Sequence, residues 1–250
     1  MAHQEFVSAQ GRTLAYRYTA PESGLTFVWL SGFKSDMSGT KVTVLESWAQ
    51  AQGHGFLAFD YSGHGLSCGA FEDGTISAWR EDALAAIEQL TSGALVLVGS
   101  SMGGWMALLS ALALETRVAA MVLIAPAPDF TQKLMWPEFT AEQQAEILND
   151  GLTLRPSEYG DPYPITRALI EDGKQWSLLN APIALNMPIR ILQGMRDPDV
   201  PWQHAFKLID ALDSDDVVFR LIKDGDHRLS RDQDIDRLIR SCADLAELVG

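Results

Sequence analysis

The chain has 250 residues, enough for one large α/β domain with a substantial core. Hydrophobic residues make up 47% and charged residues 21%, the balance of an ordinary water-soluble globular protein. A formal net charge of −14 leaves no basic surface to neutralise phosphates, which excludes nucleic acid as the expected partner.

Extended runs open the chain at residues 5–9 and 13–18, split by the turn signal Gln10-Gly11. Further strands are predicted at 25–30, 55–60, 94–98, 118–124, 188–193 and 217–222, eight in all. Helical patterns fall between most of them, at 40–52, 76–90, 105–115, 202–212 and 235–248. An antiparallel start followed by strand–helix alternation predicts a mostly parallel sheet with helices on both faces. Ligand sites then lie at the carboxyl ends of the strands. The longest apolar stretch, Val118 to Pro128, is too short to span a bilayer, and Met1 to Glu5 lack the regions of a signal peptide. Cys68 and Cys242 have no metal-ligand spacing, so the expected setting is reducing and cytoplasmic, with no metal.

Residues 128–187 break the rhythm. Pro137, Pro156, Pro162, Pro164 and Pro182 alternate with Trp136, Phe139, Tyr159, Tyr163 and Trp176. Only short helical stretches fit, such as 140–150, with Thr140 as N-cap and Glu142 and Gln143 in the first turn. The expectation is a single domain over 1–250 carrying a small helical lid, without strands, at about 128–187.

The sharpest chemical signal is Gly99-Ser100-Ser101-Met102-Gly103, which separates the apolar run Ala94-Leu95-Val96-Leu97-Val98 from a helical pattern. G-x-S-x-G between strand and helix is the nucleophile-elbow pattern: small residues permit a tight turn that lifts the serine hydroxyl above the sheet. Ser101 is the candidate nucleophile, and it needs a base. Among five histidines, His3 is terminal, His54 precedes a strand, and His204 in a first helical turn is expected to be solvated. His64, in the Gly-rich turn Asp60 to Ser67, is expected to shape the rim of the site. His227, just past the last strand, is the expected base on position and chain order.

The acid that orients the base is expected to be Asp197, after the seventh strand; Asp129, beyond the sixth, is the second choice. Asp199 has a capping explanation, and Asp224 and Asp226 are too close to His227 in sequence to need a catalytic role. Oxyanion donors are expected from the amide of Met102, directly after the nucleophile, and from that of Phe33, where Gly32 allows close backbone approach. Lys34 and Asp36 either orient this loop or are solvated.

The order Ser101, Asp197, His227, spaced by 96 and 30 residues, resembles the serine α/β-hydrolase superfamily along the whole chain. Ser31 to Lys41, Phe59 to Gly63 and Ser100 to Trp105 are most similar to the abhydrolase-domain-10 group. Mitochondrial members of that group act as palmitoyl-protein thioesterases and acyl-glucuronide esterases. The resemblance implies an α/β-hydrolase fold and cleavage of a carboxylic ester or acyl thioester; the apolar and aromatic residues of 128–187 suggest an apolar acyl group, and no cofactor is expected. It implies Ser101 as nucleophile, Asp197 and His227 as its partners, and Phe33 and Met102 as oxyanion donors. Two departures stand out: Ser31-Gly32 replaces the His-Gly of lipases, and the chain begins almost at its first strand where mitochondrial members carry a transit peptide. The expectation is a bacterial, cytoplasmic version. The alternatives are a non-catalytic ligand-binding protein on the same fold, or a hydrolase of an amide or carbon–carbon bond.

Overall fold

In the computed structural model, which describes residues 3–8, 10–22, 24–157 and 160–250, ten strands and seven helices follow one another along the chain. The elements before the insertion are β1 (Gln4–Val7), β2 (Thr13–Thr19), β3 (Leu25–Leu30), α1 (Thr40–Ala51), β4 (Gly55–Phe59), α2 (Ile76–Leu90), β5 (Ala94–Ser100), α3 (Met102–Ala113) and β6 (Val118–Ile124). The insertion holds α4 (Ala141–Asp150), β7 (Leu152–Ser157), β8 (Gly160–Thr166) and α5 (Arg167–Gln175). β9 (Ile189–Gly194), α6 (Trp202–Ala211), β10 (Val217–Ile222) and α7 (Asp232–Val249) complete the chain.

Eight strands form one sheet in the order β1-β2-β4-β3-β5-β6-β9-β10. β2 pairs antiparallel with β1 and β4, and all other neighbours are parallel. Strands covered on both faces must be apolar at every position. Accordingly Val28, Leu30, Leu95 and Leu97 enter one core, and their neighbours Phe27, Trp29, Val96 and Val98 enter the other. α2, α3 and α6 cover the first face, and α1 and α7 cover the second. The first expected strand, residues 5–9, reaches Ala9, which lies outside the described residues.

α3 starts three residues earlier than the periodicity suggested, directly at the elbow. Gly103 and Gly104 are not turn residues but the first helical turn, packed where no side chain fits. A Cβ on Gly103 would collide with the carbonyl of Leu30, and one on Gly104 would lie 2.9 Å from Pro126 Cβ.

The insertion differs from the expected strandless lid. β7 and β8 form an antiparallel hairpin. Its prolines hid it, because proline is excluded from central strands but tolerated in a two-stranded ribbon where each strand has a free edge. Pro164 sits opposite Leu154, and Pro156 falls where the register shifts between Arg155 and Ser157. Tyr159 lies outside the described residues. α4 has the expected N-terminus: Thr140 accepts from Gln143 N, Gln143 reaches back to Thr140 N, and Gly151 ends the helix at φ 91°. α5, unassigned from sequence, carries Gly173 in mid-helix because Thr131 packs against it. Phe130, Met135, Phe139, Ile147, Ile165, Leu169 and Ile170 join this insertion to the core beneath α2 and α3.

Gly103→Ala is expected to lower stability in urea unfolding by roughly 1–3 kcal/mol, the cost of forcing atoms into a filled space. Thr140→Ala is expected to cost about 1 kcal/mol, read as faster amide exchange confined to α4 and its hairpin.

Candidate active site

Ser101 occupies the elbow at φ 56° and ψ −118°. Such a conformation is unfavourable for a residue with a Cβ, and it persists only where the surroundings over-determine it. Here Ser101 N donates to Ile124 O (2.8 Å), and Ser101 O accepts from Gly104 N (2.9 Å) and Ala127 N (3.1 Å). The hydroxyl is left facing the loops beyond the carboxyl ends of β9 and β10.

Those loops supply the expected partners. His227 Nε2 lies 3.1 Å from Ser101 Oγ, and His227 Nδ1 lies 2.8 Å from Asp197 Oδ2. Asp197 is buried, and its Oδ1 accepts the backbone N–H groups of Asp199 (2.9 Å) and Val200 (2.8 Å). Gln193, fully buried at the end of β9, donates from Nε2 to Asp197 Oδ2 (3.1 Å) and to Val200 O (3.0 Å). Gln193 was missed as a site residue; its signal was a polar side chain ending an apolar strand. The His227 loop is tethered in turn by Lys41, whose Nζ donates to Arg228 O and lies 3.3 Å from Ser230 Oγ. Burial pulls the Lys41 ammonium down to about 8.

On the other side of Ser101, the loop after β3 turns tightly, with Ser35 N donating to Gly32 O (3.1 Å). A Cβ at Gly32 would approach Ser100 O to 3.2 Å and Ser101 Cβ to 3.4 Å, so this backbone lies against the elbow. The amide of Met102 opens α3 and has no acceptor within the helix. Phe33 packs its ring against Phe71, Phe130, Trp79 and Tyr163, at centroid distances of 5.0 to 5.9 Å. Phe33 thus follows Gly32 in the loop beside the elbow, and Met102 follows Ser101 as the first residue of α3. Lys34 is not simply solvated: its Nζ stands 4.6 Å from the Tyr163 ring centroid. Asp36 accepts from Ser38 N at 2.7 Å, within its own loop.

The remaining candidates have other duties. Asp129 is buried at φ 56° and accepts from Ser177 Oγ, Leu178 N and Leu179 N at 2.6 to 3.0 Å, pinning the end of the insertion. His204, expected to be solvated, is instead buried, with Nε2 2.7 Å from Pro128 O. Burial lowers its pKa, so the neutral ring donates that hydrogen bond. His64 is buried behind the Phe33 loop rather than on the rim, and accepts from Lys34 N at 3.1 Å. Cys242 is buried and Cys68 exposed, and both are free thiols.

Ser101 and His227 open into a cleft of about 1190 Å³. Phe130, Leu134, Met135 and Tyr163 supply apolar lining. Among the described residues, Lys34, Lys41, Arg155, Arg196 and Arg228 also line it, with Glu138, Asp199 and Asp226. In a chain with 33 acidic and 19 basic residues, the described lining residues are thus more basic than acidic. Ligand atoms of Asp197, Asp199 and His227 lie within 4.8 Å of one another, the only such metal-sized group among the described residues. Both Asp197 oxygens already accept protein N–H groups, so this trio fits a base-orienting carboxylate better than a cation site.

An alpha/beta hydrolase family profile matches residues 27–241. Mitochondrial palmitoyl-protein thioesterase ABHD10 from Pongo abelii is 37% identical over 237 residues, covering 94% of this chain and 76% of that protein. The crystal structure of a hydrolase from Agrobacterium vitis S4 superposes with a TM-score of 0.94 at 46% identity, over 98% of both chains. Mouse alpha/beta hydrolase domain-containing protein 10 superposes with a TM-score of 0.91 at 32% identity, over 100% of both chains. The chain belongs to the alpha/beta hydrolase family and, within it, groups with the ABHD10 proteins.

Proposed function

We propose that this protein is a serine hydrolase of carboxylic esters or acyl thioesters, acting through an acyl-enzyme on Ser101. The observation that carries the reading is the unbroken hydrogen-bond chain Ser101 Oγ–His227–Asp197 at a strained strand-to-helix turn. His227 Nε2 takes the hydroxyl proton as Ser101 Oγ bonds to the acyl carbon, and Asp197 stabilises the imidazolium and holds its tautomer. Negative charge developing on the carbonyl oxygen is met by the Met102 and Phe33 N–H groups. Collapse of the tetrahedral adduct breaks the bond to the alcohol or thiol, which leaves with the proton from His227. Water then loses a proton to His227, attacks the acyl carbon, and releases the acid and free Ser101.

The acyl group fits the apolar lining of Phe130, Leu134, Met135 and Tyr163. The basic residues in the cleft lining favour a leaving group that bears negative charge, so an acyl ester of a uronic acid is a second substrate class beside an acyl thioester. Among the described residues no helix is long and apolar enough to cross a membrane, and two free thiols fit a reducing compartment, the cytoplasm in this reading.

Purified protein is expected to be labelled by a fluorophosphonate probe and to hydrolyse p-nitrophenyl esters. Ser101→Ala should abolish labelling and lower kcat by roughly 10⁶-fold; labelling that persists would overturn the assignment. Asp197→Asn should lower kcat about 10⁴-fold with the fold intact, whereas Asp129→Asn should lower stability and spare kcat. Arg155→Gln and Arg196→Gln should reduce kcat/KM several-fold for an acyl glucuronide at low salt, with little change for a neutral p-nitrophenyl ester, and added salt should erase that difference.

A further inference from the structure

We infer that His64 is a positioning residue for the oxyanion loop, holding the turn that presents Phe33 N–H beside Ser101. The inference rests on the oxyanion reading proposed above. Gly32 to Ser35 is a four-residue turn closed by Ser35 N donating to Gly32 O (3.1 Å). Its third residue, Lys34, is left-handed at φ 57°, whereas Phe33 is not among the positive-φ residues. That combination is a type II turn, in which the central Phe33–Lys34 peptide is flipped relative to a type I turn. Type II turns call for glycine at the third position, because a Cβ there is disfavoured. With lysine in that place, a type I turn, which needs negative φ at Lys34, is the more relaxed alternative. Something outside the turn must hold the flipped peptide.

The structure holds it through one bond. The flipped Lys34 N–H donates to His64 Nε2 at 3.1 Å. His64 Nδ1 lies 3.2 Å from Ser62 O, a carbonyl that can only accept, so Nδ1 carries the ring proton and Nε2 keeps its lone pair. Burial lowers the His64 pKa, consistent with a neutral ring. Ser62 is itself fixed: its N and Oγ donate to Asp82 Oδ2 (2.9 and 2.7 Å), and its carbonyl also accepts Trp79 Nε1 (3.1 Å). Asp82 is buried and paired with Arg12 at 2.6 Å. A rigid chain Arg12–Asp82–Ser62–His64 thus ends on the backbone of the oxyanion loop. Phe71 and Trp79 pack edge-on to the imidazole at 5.3 and 5.2 Å, which fixes its plane. Aspartate, lysine and tyrosine all face the ring (Asp82 from α2, Lys34 and Asp36 from the loop, Tyr61 beside it), and none bonds to it through a side chain.

The test uses a neutral p-nitrophenyl ester and an alkyl boronic acid, which forms a tetrahedral adduct on the serine and reads the oxyanion donors directly. His64→Phe keeps the ring packing but loses the acceptor. It is expected to lower kcat and boronate affinity on the order of tenfold or more, with KM within about twofold. His64→Gln, whose amide oxygen replaces Nε2, should recover most of both. Lys34→Gly in the His64→Phe background should also recover kcat, because glycine adopts the left-handed conformation without the bond. Wild-type kcat and boronate affinity in His64→Phe, or no recovery in either second variant, would overturn the inference. If His64→Phe does not fold, nitrogen NMR of the wild type decides: a neutral Nδ1–H ring supports the inference, and an Nε2–H ring refutes it. An active Ser101→Ala enzyme would instead sink the reading beneath it, independently of His64.

Discussion

The amino end of α3 is pressed against the ends of β3 and β5 with no space for a side chain, and the site hangs from this contact. A Cβ on Gly103 would strike the Leu30 carbonyl, and a Cβ on Gly99 would strike that of Gly103. Because the backbones meet directly, Ser101 is forced into a left-handed turn and held there by three backbone hydrogen bonds. The same contact brings Gly32 and the loop after β3 to within van der Waals distance of Ser101. Ser101 and the loop after β3 are therefore braced against each other through backbone packing.

The other half of the site comes from two loops far along the chain, and it is stiffened by polar groups in apolar surroundings. Asp197 has both oxygens engaged, by two backbone amides, Gln193 and His227. A buried carboxylate so thoroughly hydrogen-bonded keeps its orientation. Lys41, reaching across from α1 to the His227 loop, is a second brace, and its ammonium is partly desolvated there. On the opposite side, His64 and Asp82 form a third polar brace beneath the Phe33 loop. Polar groups in apolar surroundings are costly unless bonded, and Asp197, Lys41 and His64 each have named partners.

The insertion was legible only in part. Thr140, with Gln143 three residues on, marked the start of α4 through a short-range capping pattern. The hairpin of β7 and β8 was not legible, because three prolines removed the period-two signal and weakened any strand assignment. α5 was hidden by Gly173, whose missing side chain is demanded by Thr131 from another part of the insertion. Long-range packing, not local propensity, decided both. The same holds for His204, which looked exposed in a first helical turn but is covered by the segment carrying Pro128.

By itself the sequence determined the eight-stranded sheet and the strand-to-helix elbow at Ser101. These depend on short-range periodicity and turn sterics, which a linear chain records. Tertiary structure alone decided that Asp197, rather than Asp129, lies within reach of His227: both follow strands, and only the fold brings one to the ring and ties the other to Ser177, Leu178 and Leu179. It also decided that an acidic chain lines its cleft with Lys34, Lys41, Arg155, Arg196 and Arg228. Net charge is a sum over residues, whereas the field at a site depends on where they converge.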